Sequence, residues 1–443
     1  MFENRPEKYA RWSTTHQLRK AGLFANEGLI LGRKGRRLLR HNGPEHLLVV
    51  ASTQSGKTTN FVYPNLLTWK QSVIVHDPKE EVFAETAGWR STFSRVVQIA
   101  PASSVSQHYN PLDAIRLATE HEMRDAQLVS EMLVLPEGGG PGWQSGSSQH
   151  FNEMAMEGIG GLILYGLYTQ RARSLGALNA LITQIPWKGI LARMKRYPHP
   201  GIQRAAMILT QTDGRDESSG IFSTTSRTLR LYTDPLIARM TDRSDFALHD
   251  LRERARPMSL YLSIPFGDQE RLRGLTRLIL RQVLDYCVSQ KEGWTWKLLA
   301  MIDEVPGLKR MNLLTDGLNY FAGYGVRLAL ITPSMEELIK TYEVHHNFLE
   351  GCKVQVVFGM HDAKVAKIFS ERVGMTEVWK RRQSTRGSYQ EKVKEPLLSE
   401  TALMNIPEDK ALVIVGRQKV LAKKTYYKDT AAWAARSTMI CGS

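Results

Sequence analysis

The stretch His46–Asn60, HLLVVASTQSGKTTN, constrains this chain more than any other. Leu47–Ala51 is a short apolar run of the kind buried on both faces of a parallel sheet. Ser52–Gly56 is polar and turn-forming, and from Lys57 onward Phe61, Val62, Leu66 and Leu67 fall at helical spacing. Strand, polar loop, Gly-Lys-Thr and helix together make a phosphate cradle, in which backbone N–H groups and the helix N-terminus face the anion. On this reading Thr53, Gln54, Ser55, Gly56, Lys57, Thr58 and Thr59 bind a nucleoside triphosphate. Lys57 reaches the β- and γ-phosphates and the Thr58 hydroxyl holds Mg2+. The motif asks for Gly at its first position. Ala51 stands there, small enough for close packing.

A second stretch, Leu298–Glu304 (LLAMIDE), is an apolar strand ending in two acids. Beside a phosphate cradle, such a strand supplies a carboxylate to the Mg2+ shell, here Asp303. The adjoining Glu304 polarises the attacking water. Lys57, Asp303 and Glu304 are therefore the expected catalytic residues, and ATP and Mg2+ the expected cofactors. Further apolar runs at Ser72–Asp77, Arg95–Ile99, Met258–Ile264, Val326–Thr332 and Val354–Phe358 alternate with helical patterns, which argues a parallel α/β sheet. Asp77 closes its run at the sheet edge where ligands bind in open α/β folds. Ala411–Gly416 and Val420–Tyr427 read as a closing hairpin. Phe151 to about Arg254 has helical spacing and little strand-like alternation, and a Gly/Ser-rich stretch precedes it. An inserted domain explains the long interval between Lys57 and Asp303. The expected organisation is an α/β fold with a RecA-like P-loop domain in two parts, 1–137 and 256–443, and an inserted all-α domain at 138–255.

With 443 residues and a net charge of +15, the chain favours a polyanionic partner, nucleic acid or an anionic membrane face, over a neutral one. Charge carried for solubility alone is the alternative. The basic run Arg33–Arg40 (RKGRRLLR) is either such a contact or a solvated face. Val378–Lys394, with Trp379 and Tyr389 among Arg and Lys, is either a nucleic-acid contact or a bland exposed hairpin or loop. Cys287, Cys352 and Cys441 are too few and too scattered for a metal cluster or a disulfide framework, which points to a reducing compartment. No apolar run approaches the ~18 residues needed to span a bilayer, so a soluble chain is expected.

Taken in order, these stretches resemble the type IV secretion coupling proteins, the TraG/TraD-like conjugative DNA-transfer ATPases. The resemblance runs from about Ala10 to Tyr427. It is carried by ARWSTTHQLRKAGL, VVASTQSGKTTNFVYPNLLTW, SVIVHDPKEE, YNPLD, SGIFSTTSRTLRLYTDP, PMSLYLSIP, IDEVPGLKRM, LNYFAGYGVRLALI, EPLLSETALMNIPEDKALVIVG and AKKTYY. It implies a RecA-like domain with an all-α insert and a homohexameric ring. It implies nonspecific binding of single- or double-stranded DNA. It also implies an ATPase that brings relaxase-bound DNA or protein effectors to type IV secretion channel components at the cytoplasmic face of the inner membrane. Three departures stand out. Ser52 replaces the usual proline of the loop. Pro333 replaces a glutamine that senses the γ-phosphate, leaving that sensor missing or supplied by Thr332 or Ser334. The N-terminal membrane anchor is absent, so the chain is a cytosolic part or docks through partners. A ring ATPase completes its site with a cation from the neighbouring subunit. Lys353 and Arg327 are the candidates. The rival readings are a nucleotide-gated receptor that hydrolyses little and a DNA-packaging or segregation translocase on the same core.

Overall fold

The structure, a computed structural model, describes residues 9–135, 147–211, 215–289, 293–342, 347–360, 362–384 and 387–441. It falls into two compact units. One comprises Met1–Lys70, Glu85–Arg90 and Arg327–Ser443, the other Gln71–Ala84 and Ser91–Val326.

The first unit is organised around β3 (Leu47–Val50), following β1 (Leu29–Lys34) and β2 (Arg37–His41). The second unit contributes β4 (Ser72–Asp77), β5 (Arg95–Ile99), β6 (Met258–Ser263) and β7 (Leu298–Ile302). The chain then returns to the first unit with β8 (Val326–Thr332), β9 (Val354–Val357), β10 (Met375–Ser384), β11 (Gly387–Pro396), β12 (Lys410–Val415) and β13 (Gln418–Lys423). In the first unit the strand order is β2-β1-β13-β12-β9-β3-β8. β3 lies parallel to both β9 and β8, with Leu47 opposite Val354 and Ala329. Flanked on both sides, it buries all four residues, and its sequence is accordingly continuous Leu and Val. From β9 outward the pairing is antiparallel through β12, β13, β1 and β2.

The basic run at 33–40 lies in the hairpin β1–β2. Several of its cations are engaged within the chain. Arg33 lies 3.7 Å from Asp429, Arg40 donates to the Asn26 carbonyl and Arg37 stands over the Phe24 ring.

In the second unit β7, β4, β6 and β5 are all parallel. Among the described residues the connection from β5 to β6 contains helices and no strand. Its long members are Glu122–Val134, Ser147–Tyr168, Leu175–Gln184, Trp187–Arg196, Pro200–Gln211 and Arg215–Leu229. A Cβ added at Gly161 would fall 2.3 Å from Ala205 Cβ, so Ser147–Tyr168 and Pro200–Gln211 cross with their backbones in close approach. The helical run begins at Glu122, ahead of the limit expected at 138, and the two compact units divide the chain at other points than 137 and 255. Part of the Gly/Ser-rich stretch, 136–146, lies outside the described residues. Among the described residues no helix is long and apolar enough to cross a membrane.

Candidate functional site: a phosphate loop and an acidic strand end

The loop that leaves β3 is shaped by where its carbonyls go. Ser55 returns both its N–H, at 3.1 Å, and its hydroxyl, at 2.6 Å, to the Ser52 carbonyl. The Ser55 carbonyl accepts the Lys424 ammonium at 2.8 Å. The Gly56 carbonyl accepts the Asn60 amide N–H at 2.9 Å, and the Asn60 and Thr59 side chains as well. A peptide unit is planar and trans, so turning its C=O to one side turns the next N–H to the other. The N–H groups of Thr53, Gly56 and Lys57 therefore face away from these partners, on the side an anion would occupy. Two residues make the turn possible. Gln54 has φ +62° and Gly56 has φ +80°, where a Cβ would meet Asn60 Nδ2 at 2.7 Å. Lys57 and Thr58 are buried, whereas Thr53 and Gln54 stand exposed at the rim. Ser52, in place of proline, donates its hydroxyl to the Gly359 carbonyl. This donor set, inward N–H groups with a lysine and a threonine, fits a nucleoside polyphosphate with its Mg2+.

The helix behind the loop starts wide. Thr58–Val62 is a π turn, with Tyr63 N–H bonded to the Thr58 carbonyl. Pro64 follows and has no N–H for the Asn60 carbonyl, which favours the wider turn. Asn65, fully buried, bonds the Ile30 N–H at 2.7 Å and the Ile30 carbonyl at 3.0 Å, tying this helix to β1.

Lys424 is absent from the expected site residues, and its only sequence trace is the stretch AKKTYY. It follows β13, stands 4.2 Å over the Phe358 ring and is pushed below the usual lysine range by burial. We expect Lys424→Met to weaken binding of a fluorescent ATP analogue by about tenfold, with Lys424→Arg largely restoring it, because the Ser55 carbonyl loses a charged donor. Unchanged affinity in Lys424→Met would show that the loop holds its shape without it.

In the second unit, β7 buries all five residues and delivers Asp303, 5% exposed, at its C-terminal end. The neighbouring strand β4 carries, one residue before its end, His76, whose Nδ1–H donates to the Asp303 carbonyl at 2.7 Å. Asp303 Oδ1 accepts the Glu304 N–H at 3.0 Å. Glu304 itself is left-handed, φ 61° and ψ 52°, and is followed by the tight turn Val305–Leu308. A non-glycine residue held there stores about 1 kcal/mol or more, a feature concentrated at functional sites.

Asp77 has a different task from the one its position foretells. Its Oδ2 accepts the Val82 and Phe83 N–H groups, so it caps the helix Glu81–Ser91. Burial raises its pKa to about 6, against the backbone bonds that pull it down. The folded state therefore holds a proton that the unfolded chain gives up near 3.8. The stability this lends is present below about pH 4 and lost as pH rises to about 6. Asp77→Asn keeps the acceptor and removes the charge, so urea melts should lose that slope and gain up to ~3 kcal/mol at pH 7. An unchanged slope would reject this assignment.

The two basic candidates for completing a neighbour's site fare differently. Arg327 is 5% exposed, and its guanidinium serves the Glu45 carbonyl at 2.9 Å and the His41 carbonyl at 3.1 Å. Burial lowers its pKa to about 10. Arg327 is thus an internal brace and offers no free cation to a second subunit. The sequence concealed this, because an arginine inside VRLALI reads as a strand-edge charge. Lys353 is exposed, just ahead of β9. Since β3, β8 and β9 are parallel, both residues stand at the strand edge opposite the one the phosphate loop leaves. Neither substitute for the sensor glutamine is idle. Thr332 donates its hydroxyl to the Ser334 carbonyl, and Ser334 Oγ caps the helix Met335–Tyr342 through Glu336 and Glu337 N–H.

Residues 11–440 match the family model described as type IV secretory system conjugative DNA transfer. Conjugal transfer protein TraG of Escherichia coli is 31% identical over 415 residues, covering 84% of this chain and 63% of TraG. Protein VirD4 of Rhizobium radiobacter is 27% identical over 387 residues, covering 82% of this chain and 54% of VirD4. The chain thus spans between half and two thirds of these two relatives. Among solved structures, the plasmid coupling protein TrwB with a non-hydrolysable ATP analogue superposes with a TM-score of 0.72 at 18% identity, covering 94% of this chain and 93% of TrwB. TrwB has also been solved with ADP and Mg2+.

Proposed function

This chain belongs to the type IV secretory system conjugative DNA transfer family, and on that premise we propose that it is an ATP-hydrolysing coupling protein. It recruits relaxase-bound DNA or protein effectors and drives them to the secretion channel at the cytoplasmic face of the inner membrane. The observation that carries the reading is the phosphate loop, whose carbonyls are held by Lys424, Asn60 and Ser55 so that its N–H groups serve an anion. In this reading Lys57 and the loop amides bind the phosphates. Thr58 and Asp303 supply the Mg2+ oxygens, and Glu304 orients the attacking water. Bound Mg2+ neutralises charge on the transferring phosphoryl group. The surplus charge of +15 supports a polyanionic cargo, and a homohexameric ring is the assembly the family resemblance implies. The RecA-like part is 1–137 and 256–443 and the insert 138–255, as functional segments that do not coincide with the two compact units. Lys353 remains the candidate for a cation given to the neighbouring subunit.

The test is ATP turnover by the purified chain with and without single-stranded DNA, with oligomeric state measured on the same sample. Turnover that rises with DNA, and DNA binding that falls steeply with salt with little base preference, are expected. A second reading is favoured by Pro333 and by the engagement of the Thr332 and Ser334 hydroxyls in local bonds. It is a receptor gated by nucleotide and slow to hydrolyse it. Nucleotide binding without turnover by an assembled ring would select that reading.

A further inference from the structure

The hairpin β10–β11 forms a two-stranded sheet of its own, and its two faces differ in character. Residues directly opposite in an antiparallel pair share a face. One face carries the pairs Glu377–Lys394, Trp379–Lys392, Arg381–Gln390 and Gln383–Ser388. The other carries Val378–Val393, Lys380–Glu391 and Arg382–Tyr389, with Glu395 beside them. On the second face the charges cancel. Lys380 is paired with Glu395, and Arg382 lies 3.1 Å from Glu391. On the first face three cations, Arg381, Lys392 and Lys394, stand against one carboxylate, Glu377. That carboxylate is bonded by Tyr9 and lies 3.9 Å from Lys392, which leaves two cations in surplus.

Trp379 sits among these cations and is 64% exposed. Lys392 Nζ lies 5.1 Å from its ring centroid, and the Arg381 guanidinium is steadied by Ser388 Oγ at 2.9 Å. A large exposed indole on a face with two surplus cations is poorly explained as a solvated face, because the opposite face shows how this hairpin disposes of charge when nothing binds. Cations that track a phosphate backbone, with an aromatic ring on which a base stacks, are the parts of a single-strand site. A duplex hides its base planes in the stack and would leave the indole unused.

We propose that the Trp379 face of this hairpin binds single-stranded nucleic acid, the indole stacking on an unpaired base and Arg381, Lys392 and Lys394 taking phosphates. The proposal deepens the nucleic-acid reading above and rests on it. Its test is fluorescence anisotropy with a labelled 20-residue oligo(dT), an abasic oligonucleotide of the same length, and the full chain. Trp379→Ala should weaken oligo(dT) binding by about tenfold and leave the already weaker abasic binding unchanged. Lys392→Ala should lower the salt slope of log affinity by about 0.7. The charge-neutral pair Arg382→Ala with Glu391→Ala, on the opposite face, should leave affinity and slope as they were. A thermal melt on each variant checks that the fold is kept. If Trp379→Ala and Lys392→Ala bind oligo(dT) as the parent does, the face serves something else, an acidic protein included, and the proposal is overturned. It is also overturned if the opposite-face pair loses as much. Failure of the parent itself to bind any oligonucleotide would overturn this proposal together with the reading it rests on.

Discussion

Replacing Lys57 by alanine should abolish measurable binding of ATP at concentrations that saturate the parent chain. Lys57 is buried at the head of the π turn, and the loop before it is held so that its amides face the same anion. Removing a buried cation from a polyphosphate leaves those charges short of their main counter-charge. That loss costs about 3–5 kcal/mol, a weakening of roughly two to four orders of magnitude. The fold should survive, since the strand before and the turn after bury Leu47–Val50, Phe61 and Val62. Equilibrium titration with a fluorescent ATP analogue, beside a thermal melt, reads both. An affinity within a few-fold of the parent, in a folded variant, would remove the phosphate-loop assignment and the ATPase reading with it.

Most strands in the two units were legible because they are buried on both faces and so read as unbroken apolar runs. Ser72–Asp77 and Val326–Thr332 occur with the limits expected of them. Arg95–Ile99 does too, although it buries only Val97 and Ile99, because a valine rather than a second arginine stands between its ends. The hairpin at 29–41 was not legible. Its second strand buries only alternate residues, and the arginines between them made it read as a basic surface run. The helical connection was legible by period, but its start was not, since Glu122–Val134 lies ahead of the Gly/Ser-rich stretch that reads as a boundary.

In the phosphate loop and at the end of β7, the sequence reading names Lys57, Thr58, Asp303 and Glu304 for their chemistry and misses the residues that hold the backbone around them. Lys424, Asn65 and His76 act through backbone carbonyls and amides many positions away. No spacing rule announces such a contact, because it exists only once distant strands are neighbours. The converse error comes from the same source. Asp77 and Arg327 look chemically available in a string of letters, and the fold engages one in a helix cap and the other in an internal brace.

Glu304→Gln should leave nucleotide bound and stop its turnover, with the rate falling by roughly 10²–10⁴. Gln keeps the size and the backbone of Glu304, so the Asp303 Oδ1 bond to residue 304 N–H and the His76 bond to the Asp303 carbonyl can both persist. What is lost is the negative charge that draws a proton from the attacking water. The left-handed backbone at Glu304 supplies a second variant that separates charge from geometry. Glycine adopts φ 61° without the Cβ penalty, so Glu304→Gly should be as stable as the parent or up to ~1 kcal/mol more so. It should be as slow as Glu304→Gln. A residue kept in a strained conformation that a simpler residue would relieve, and whose removal costs only rate, is held there for chemistry. Normal turnover in Glu304→Gln would reject that role. A Glu304→Gly chain that is less stable than the parent would instead assign the conformation to packing of the turn at Val305–Leu308.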